Sequence, residues 1–344
     1  MNEPIIFEYT IGPEVFQEGT NLETLLDEFE YNCVMSDFSK ESFLEYINNR
    51  LNSLNDHDLR SIVISHLKKL DTNNKIIKYP TVEASSPKSD HEWRTTAETA
   101  HSVLPLDGII INKIELSNDN SAKEIPIIEA GKLLRNDHWK KRKRRSSIVN
   151  ATSANYEKIL APLLRHAEKL SIIDPYFNLG EERFKDFLRI CIDGLSHTKT
   201  DKHKTIIIHC GTKKLKGNVK RELGQRELDK IDDEALERWK TEILSLIPEE
   251  KKINIEIYIR WTQKNGKRFH DRYLITDQFA VDIPLGTDVS FDSQDDTSWA
   301  LSDPEDRARR WREIQPHARV FGFYKRKLVV NLKYRTGLKV PTLT

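Results

Sequence analysis

TIIIHCG at 205–211 and INIEIYIRW at 253–261 are short runs rich in β-branched residues, each long enough for one strand. TIIIHCG has no polar alternation, which is the pattern of a strand buried on both faces. Between them RELDKIDDEALERWKTEILSLI, 226–247, carries apolar residues at helical spacing. Upstream, SIIDPYF at 171–177 is a short strand stopped by Asp-Pro. It is flanked by two amphipathic helices, ANYEKILAPLLRHAEKL (154–170) and EERFKDFLRICIDGL (181–195), the second ending at Gly194. Downstream, RFHDRYLITD (268–277) and FAVDIPL (279–285) are neighbouring strands. Strand–helix–strand–helix–strand predicts an α/β unit: a mostly parallel sheet with helices on both faces. The strands expected are 171–173, 205–209, 253–260 and 270–276. In such sheets the ligand site lies off the carboxyl ends of the strands.

The 344 residues suffice for two domains, and 38% hydrophobic content supports packed cores. No apolar run approaches the roughly 18 residues of a membrane span, so no integral membrane association is expected. The N-terminus MNEPIIFEYT lacks a basic flank and a long apolar region. Cys33, Cys191 and Cys210 form neither a disulfide framework nor a zinc spacing, which points to a reducing, cytoplasmic location. The formal net charge of +1 hides an asymmetry. Residues 1–130 hold 11 basic and 23 acidic residues, a net of −12, which leaves +13 for 131–344. The basic half faces phosphates or an acidic partner, or the two halves attract each other.

Residues 1–146 form the predicted N-terminal domain, a smaller α+β recognition or regulatory module. Its strands are read at IIFEYTI, KIIKYPTV and GIIINKIEL. Its helices are read at NLETLLDEFEYN, ESFLEYINNRLNSL, DHDLRSIVISHLKKL and HEWRTTAETAHSVL. The domain ends in the densest charge run of the chain, Lys140, Lys141, Arg142, Lys143, Arg144 and Arg145. Such a run is a solvated linker, a localisation signal, or a contact to a nucleic-acid backbone. Residues 147–344 form the second domain.

The strand ends of the second domain carry Asp174 and Tyr176, His209, and Arg260. More specific is His270-Asp271-Arg272-Tyr273-Leu274-Ile275-Thr276-Asp277. Side chains alternate along a strand, so His270 and Arg272 share a face. An imidazole beside a guanidinium suits a phosphate, which the cation holds while the imidazole attacks phosphorus or passes a proton. Asp277 lies past the strand, where it could orient the second ring nitrogen of His270. The plain alternative is an exposed strand face with Arg272 in a salt bridge.

His270-x-Arg272-xxxx-Asp277 resembles the HxKxxxxD motif of the phospholipase D superfamily, with Arg in the Lys position. That family carries a Gly-Ser pair on the next strand; Gly286-Thr287-Asp288 stands nearby, two residues later than usual. The resemblance covers roughly residues 151–330. It is greatest to single-motif members, among them the phospholipase D-like domain of MIT-domain proteins and modules associated with bacterial antiphage defence. It implies a metal-independent phosphodiesterase without cofactor, most simply a nuclease effector of a defence system. His270 would be the nucleophile, Arg272 the phosphate clamp and Asp277 the orienting acid. Asp174, Tyr176, His209, Arg260, Gly286 and Thr287 would line the substrate. The family's second histidine comes from another motif copy. The chain holds one copy, so a homodimer is implied, with nucleic acid and a defence-system protein as partners. His209 is the in-chain candidate for that second histidine. The MIT-associated relatives bind phosphorylated lipid heads without hydrolysis. The other function implied is therefore a binding module for nucleic acid, anionic lipid heads or a phosphorylated partner.

Overall fold

The computed structural model describes residues 4–18, 21–52, 56–79, 87–103, 105–114, 125–142, 145–196, 203–211, 225–248, 250–260, 263–264, 267–268, 271–287, 289, 296–315 and 324–330. The chain divides into two compact units, one of them Ile5–Arg145 and the other built from Ser146 onward.

The first unit runs β1 (Phe7–Ile11), α1 (Val15–Glu18), α2 (Leu22–Asn32), β2 (Cys33–Asp37), α3 (Phe43–Leu51), α4 (His57–Thr72), β3 (Ile76–Lys78), α5 (Asp90–His101), β4 (Gly108–Ile111) and β5 (Ile127–Glu129). A 3₁₀ turn at Ala130–Arg135 and α6 (Asp137–Arg142) follow. The strands form one sheet in the order β3-β2-β1-β4-β5, and every neighbouring pair is parallel. The expected α+β module is therefore an α/β unit. The strand that hid this is β2, CVMSD, which ends in two polar residues and follows α2 without a break. Local chemistry sets the helix starts. Ser42, Asp56 and Ser89 are extended N-cap residues whose side chains accept from the amides of Glu45, Leu59 and Glu92. The core is aromatic, with Tyr9 5.3 Å from Trp139 and Trp93 5.7 Å from Tyr46 between ring centroids.

The second unit runs β6 (Ser146–Asn150), α7 (Ser153–Leu164), β7 (Lys169–Ile173), α8 (Glu182–Ser196), β8 (Lys204–Gly211), α9 (Gln225–Leu246) and β9 (Ile253–Arg260). It continues with β10 (Gln263–Lys264), β11 (Lys267–Arg268), β12 (Tyr273–Thr276), β13 (Ala280–Asp282), β14 (Asp296–Leu301), α10 (Pro304–Ile314) and β15 (Tyr324–Val330). Eight of these strands form a sheet in the order β15-β9-β8-β7-β12-β13-β14-β6, while β10 and β11 make a separate two-stranded ribbon. Only β7, β8 and β9 are mutually parallel; every other pair in the large sheet is antiparallel. The sheet is thus mixed, with a three-stranded parallel centre, rather than mostly parallel. Strands 205–209 and 253–260 do lie side by side in it, as expected.

Its two faces differ. Ile206, Ile208 and Cys210 of β8 and Ile255, Ile257 and Ile259 of β9 are fully buried. Lys204, on the same face as Ile206, donates from Nζ to the Leu195 carbonyl of α8. Arg326, opposite Ile259, pairs with Asp233 of α9. So α8 and α9 cover this face. Helices α7 and α8 meet closely at Gly194, where a Cβ would stand 2.8 Å from a Leu164 methyl. On the other face Thr205, Ile207, Asn254 and Glu256 are only half-buried. That face closes at its carboxyl end, where α10 docks through Ile314 and Trp311 onto Ile173, Tyr273, Ile275 and Ala280.

Candidate functional site

Register brings the site together. Ile173 lies opposite His209 and His209 opposite Tyr258, so the parallel strands end level and deliver Asp174, His209 and Arg260 to one edge. Antiparallel β12 sets Tyr273 opposite Ile173, which places Arg272, the residue before it, at that same edge. The strand begins at Tyr273, three residues later than expected.

Arg272 and Asp174 form the outer layer. The Arg272 guanidinium lies 4.5 Å from the Tyr176 ring centre, donates from Nη1 to the Pro284 carbonyl (3.2 Å), and stands 3.8 Å from Asp174 Oδ1 through Nε. Its side chain is 21% exposed. Asp174 is buried and tied on both oxygens. Oδ1 accepts from the Tyr176 amide at 2.9 Å, and Oδ2 accepts from the Thr287 amide and hydroxyl at 3.2 and 3.0 Å. Burial pushes its carboxyl above the usual range, opposed by those amides and by Arg272. Thr287 reaches Asp174 because Ile283–Gly286 is a tight turn, closed by the Gly286 amide on the Ile283 carbonyl. Gly286 has φ 105°, a left-handed conformation that favours glycine. Thr287 and Asp174 are both buried, so they shape the site from behind rather than lining its surface.

His209 and Arg260 form an inner layer. Arg260 Nε donates to His209 Nδ1 at 3.0 Å, and its Nη2 donates to the Ile314 carbonyl at 2.6 Å. A guanidinium does not give up its proton, so Nδ1 is the acceptor and the imidazole proton sits on Nε2. Burial, and then the neighbouring Arg260 charge, hold His209 well below the ordinary imidazole value. The ring is neutral, stacked on Tyr258 at 5.3 Å. Both residues were expected to line substrate; both are instead buried supports of the strand ends and of the α10 C-terminus.

A pH dependence follows. Below the ordinary imidazole value the unfolded chain takes up a proton that folded His209 refuses. Stability therefore falls as pH drops through about 6.5, by up to about 1.4 kcal/mol per pH unit from this group. His209→Gln keeps an acceptor for Arg260 and lacks the titration. Denaturant unfolding between pH 7.5 and 5.5 should show the wild type losing more stability than the variant; parallel profiles would rule the assignment out.

Asp277 is not beside Arg272. It lies past the other end of β12, five residues or about 16 Å along an extended chain. There Oδ1 accepts from the Glu168 and Lys169 amides at 3.0 and 3.3 Å, at the start of β7. Burial raises its carboxyl, and the Lys169 amide opposes the shift. It is a structural clasp between β12 and β7, which corrects the expectation that it serves the site.

His270, Lys143, Arg144 and Asp288 lie outside the described residues. The start of the basic run belongs to the first unit. Trp139 of α6 is buried in the core beside Tyr9, Lys140 pairs with Asp137, and the Arg145 guanidinium lies 3.7 Å from the Tyr31 ring centre. Lys141 and Arg142 complete α6. Both ends of the run are thus anchored to a folded unit.

Helix α10 is not among the elements read from the sequence; its arginines brace β12 and β13. Arg307 donates to the Asp277 carbonyl, and Arg310 pairs with Asp282 and lies over Tyr273. The one available signal was Asp303-Pro304-Glu305-Asp306, a helix start with acidic residues in its first turn. Among the described residues, metal-ligand spacing occurs at Asp27, Glu30 and His66, in the first unit. There Glu30 is already committed to His66 at 2.5 Å and to Lys69 at 3.4 Å. No protein-family model matches this chain, and no curated protein matches it either.

Proposed function

We propose that the second unit is a phospholipase D-like, metal-independent phosphodiesterase, a nuclease serving as effector in antiphage defence, with His270 as its nucleophile. The observation that carries this reading is Arg272. Two residues after His270, its guanidinium is held at the carboxyl ends of the parallel strands, braced by Tyr176, Pro284 and Asp174. A fixed guanidinium at that edge suits a phosphate. The imidazole of His270 attacks phosphorus, a P–N bond forms and the P–O bond to the leaving alkoxide breaks. The alkoxide takes a proton from an imidazolium. Water then attacks the phosphohistidine, gives its proton to that second imidazole, and frees His270. His209 is a poor source of the proton, because burial and Arg260 keep it neutral. A second copy of His270, across a two-fold axis of a homodimer, supplies it.

A binding module for phosphate groups is the second reading. The Asp174–Arg272 ion pair favours it, since a carboxylate beside the clamp weakens its field. Cleavage of single- and double-stranded DNA and of RNA, with and without EDTA, separates the two. The nuclease reading expects cleavage that EDTA leaves unchanged. Cleavage that depends on added magnesium would overturn it, and anion binding without turnover would leave the binding module.

A further inference from the structure

In the first unit a buried carboxylate, Asp90, bridges the carboxyl ends of two adjacent parallel strands. In the order β3-β2-β1-β4-β5, the chain winds one way from β1 to β3 and the other way through β4 and β5. The carboxyl ends of β1 and β4 therefore flank a topological switch point, where open parallel sheets place their ligands. The Gly12 amide bridges these ends to the Ile110 carbonyl at 2.7 Å. Asp90, the first residue of α5, sits between these ends and is buried. Its Oδ1 accepts from the Glu14 amide at 2.9 Å and its Oδ2 from the Asn112 amide at 2.5 Å. One donor comes from the loop after β1 and the other from the end of β4. A Cβ on Gly12 would stand 2.2 Å from Asp90 Oδ1, so glycine there admits an anion against the backbone. Two converging backbone amides beside a glycine are the makings of an anion nest.

The carboxylate is delivered by a pinned segment. Arg50 donates to the Pro87 and Lys88 carbonyls at 3.1 and 3.3 Å, and the Tyr46 hydroxyl donates to the Pro87 carbonyl. Ser89 then caps α5. We propose that the β1/β4 crevice is a binding site for a small phosphate- or carboxylate-bearing ligand, held shut by Asp90 as an internal stand-in for that ligand. Entry of the ligand requires Asp90 to leave, which moves the first turn of α5 and makes this unit an anion sensor. A tethered carboxylate competes at a high effective concentration, so free anions bind the intact site weakly.

The test uses the full chain carrying Arg272→Ala, which removes the other anion site, with and without Asp90→Ala. Melting is followed in sodium phosphate, sodium acetate and sodium chloride at equal ionic strength. Asp90→Ala should melt lower than its parent in chloride. It should regain about 3 °C or more in phosphate or acetate at roughly ten times their dissociation constant, while the parent does not respond. The better of the two anions tells a phosphate ligand from a carboxylate. Equal melting of Asp90→Ala in all three salts, or an equal gain by the parent, overturns the proposal. Should Asp90→Ala not fold in chloride, refolding yield of Asp90→Ser decides. Recovery confined to phosphate or acetate supports the site, and equal recovery in chloride overturns it.

Discussion

Phosphodiester cleavage by His270→Ala should fall at least about a thousand-fold, because the variant lacks the imidazole proposed to attack phosphorus. Arg272→Ala should lose about a hundred-fold or more in kcat/KM, the usual cost of removing one preorganised donor to a developing charge. The two losses differ in kind. His270→Ala should still bind substrate, whereas Arg272→Ala should bind it more weakly. Arg272→Lys keeps the charge without the planar fork, and it gives up the contact with Tyr176 and the bond to Pro284, so partial activity is expected. None of these changes should unfold the unit, because Asp174 keeps the Tyr176 and Thr287 amides in every case. Activity and thermal melting on the same preparations check this. A fully active His270→Ala would remove the chemistry, and an Arg272→Ala enzyme with unchanged KM and kcat would remove the clamp.

Arg260→Ala should be the most damaging change to stability. Arg260 is 1% exposed, and its guanidinium joins β9 to His209 on β8 and to the last carbonyl of α10. Its removal leaves His209 Nδ1 without its donor, uncaps α10 and opens a cavity the size of the side chain. These losses outweigh the relief from no longer burying a charge, for a net cost of about 3 kcal/mol. In a unit of this size that is roughly 6–12 °C in melting temperature. Activity should fall with it, since α10 also holds β12 through Arg307 and Arg310. A variant melting within about 2 °C of wild type would show that the inner layer carries little of the fold.

The runs TIIIHCG and INIEIYIRW did identify the centre of the second unit, because β-branched stretches bounded by helical periods have few other uses. Coverage of the sheet was less legible. INIEIYIR alternates, and the alternation is real. Asn254 and Glu256 face the side that α10 leaves partly open, while Tyr258 and Arg260 on that side are buried, Arg260 against the end of α10. DTSWAL is hard to read as a strand because its exposed alternate positions are polar, SSIVN because it inverts the usual pattern with Ser147 buried and Ile148 exposed, and VMS in the first unit is too short to stand out between polar neighbours. The site was legible in part. Arg272 was expected near Asp174 and lies 3.8 Å from it, but as the residue before its strand rather than within it, and Gly286-Thr287, read from the family motif as part of the next strand, is instead the turn that brings Thr287 to Asp174. Spacing misplaced Asp277, because a motif read along one strand does not say which end of the sheet each member reaches.

The proposed mechanism requires a covalent bond between His270 and phosphorus. The direct measurement is to quench the full-length protein with a labelled oligonucleotide during turnover, separate it under denaturing conditions, and map any adduct by peptide mass spectrometry. That mechanism predicts an acid-labile, alkali-stable phosphoramidate on His270, formed equally in EDTA and missing from His270→Ala. Cleavage with no such adduct at any time point, or an adduct on another residue, would contradict it.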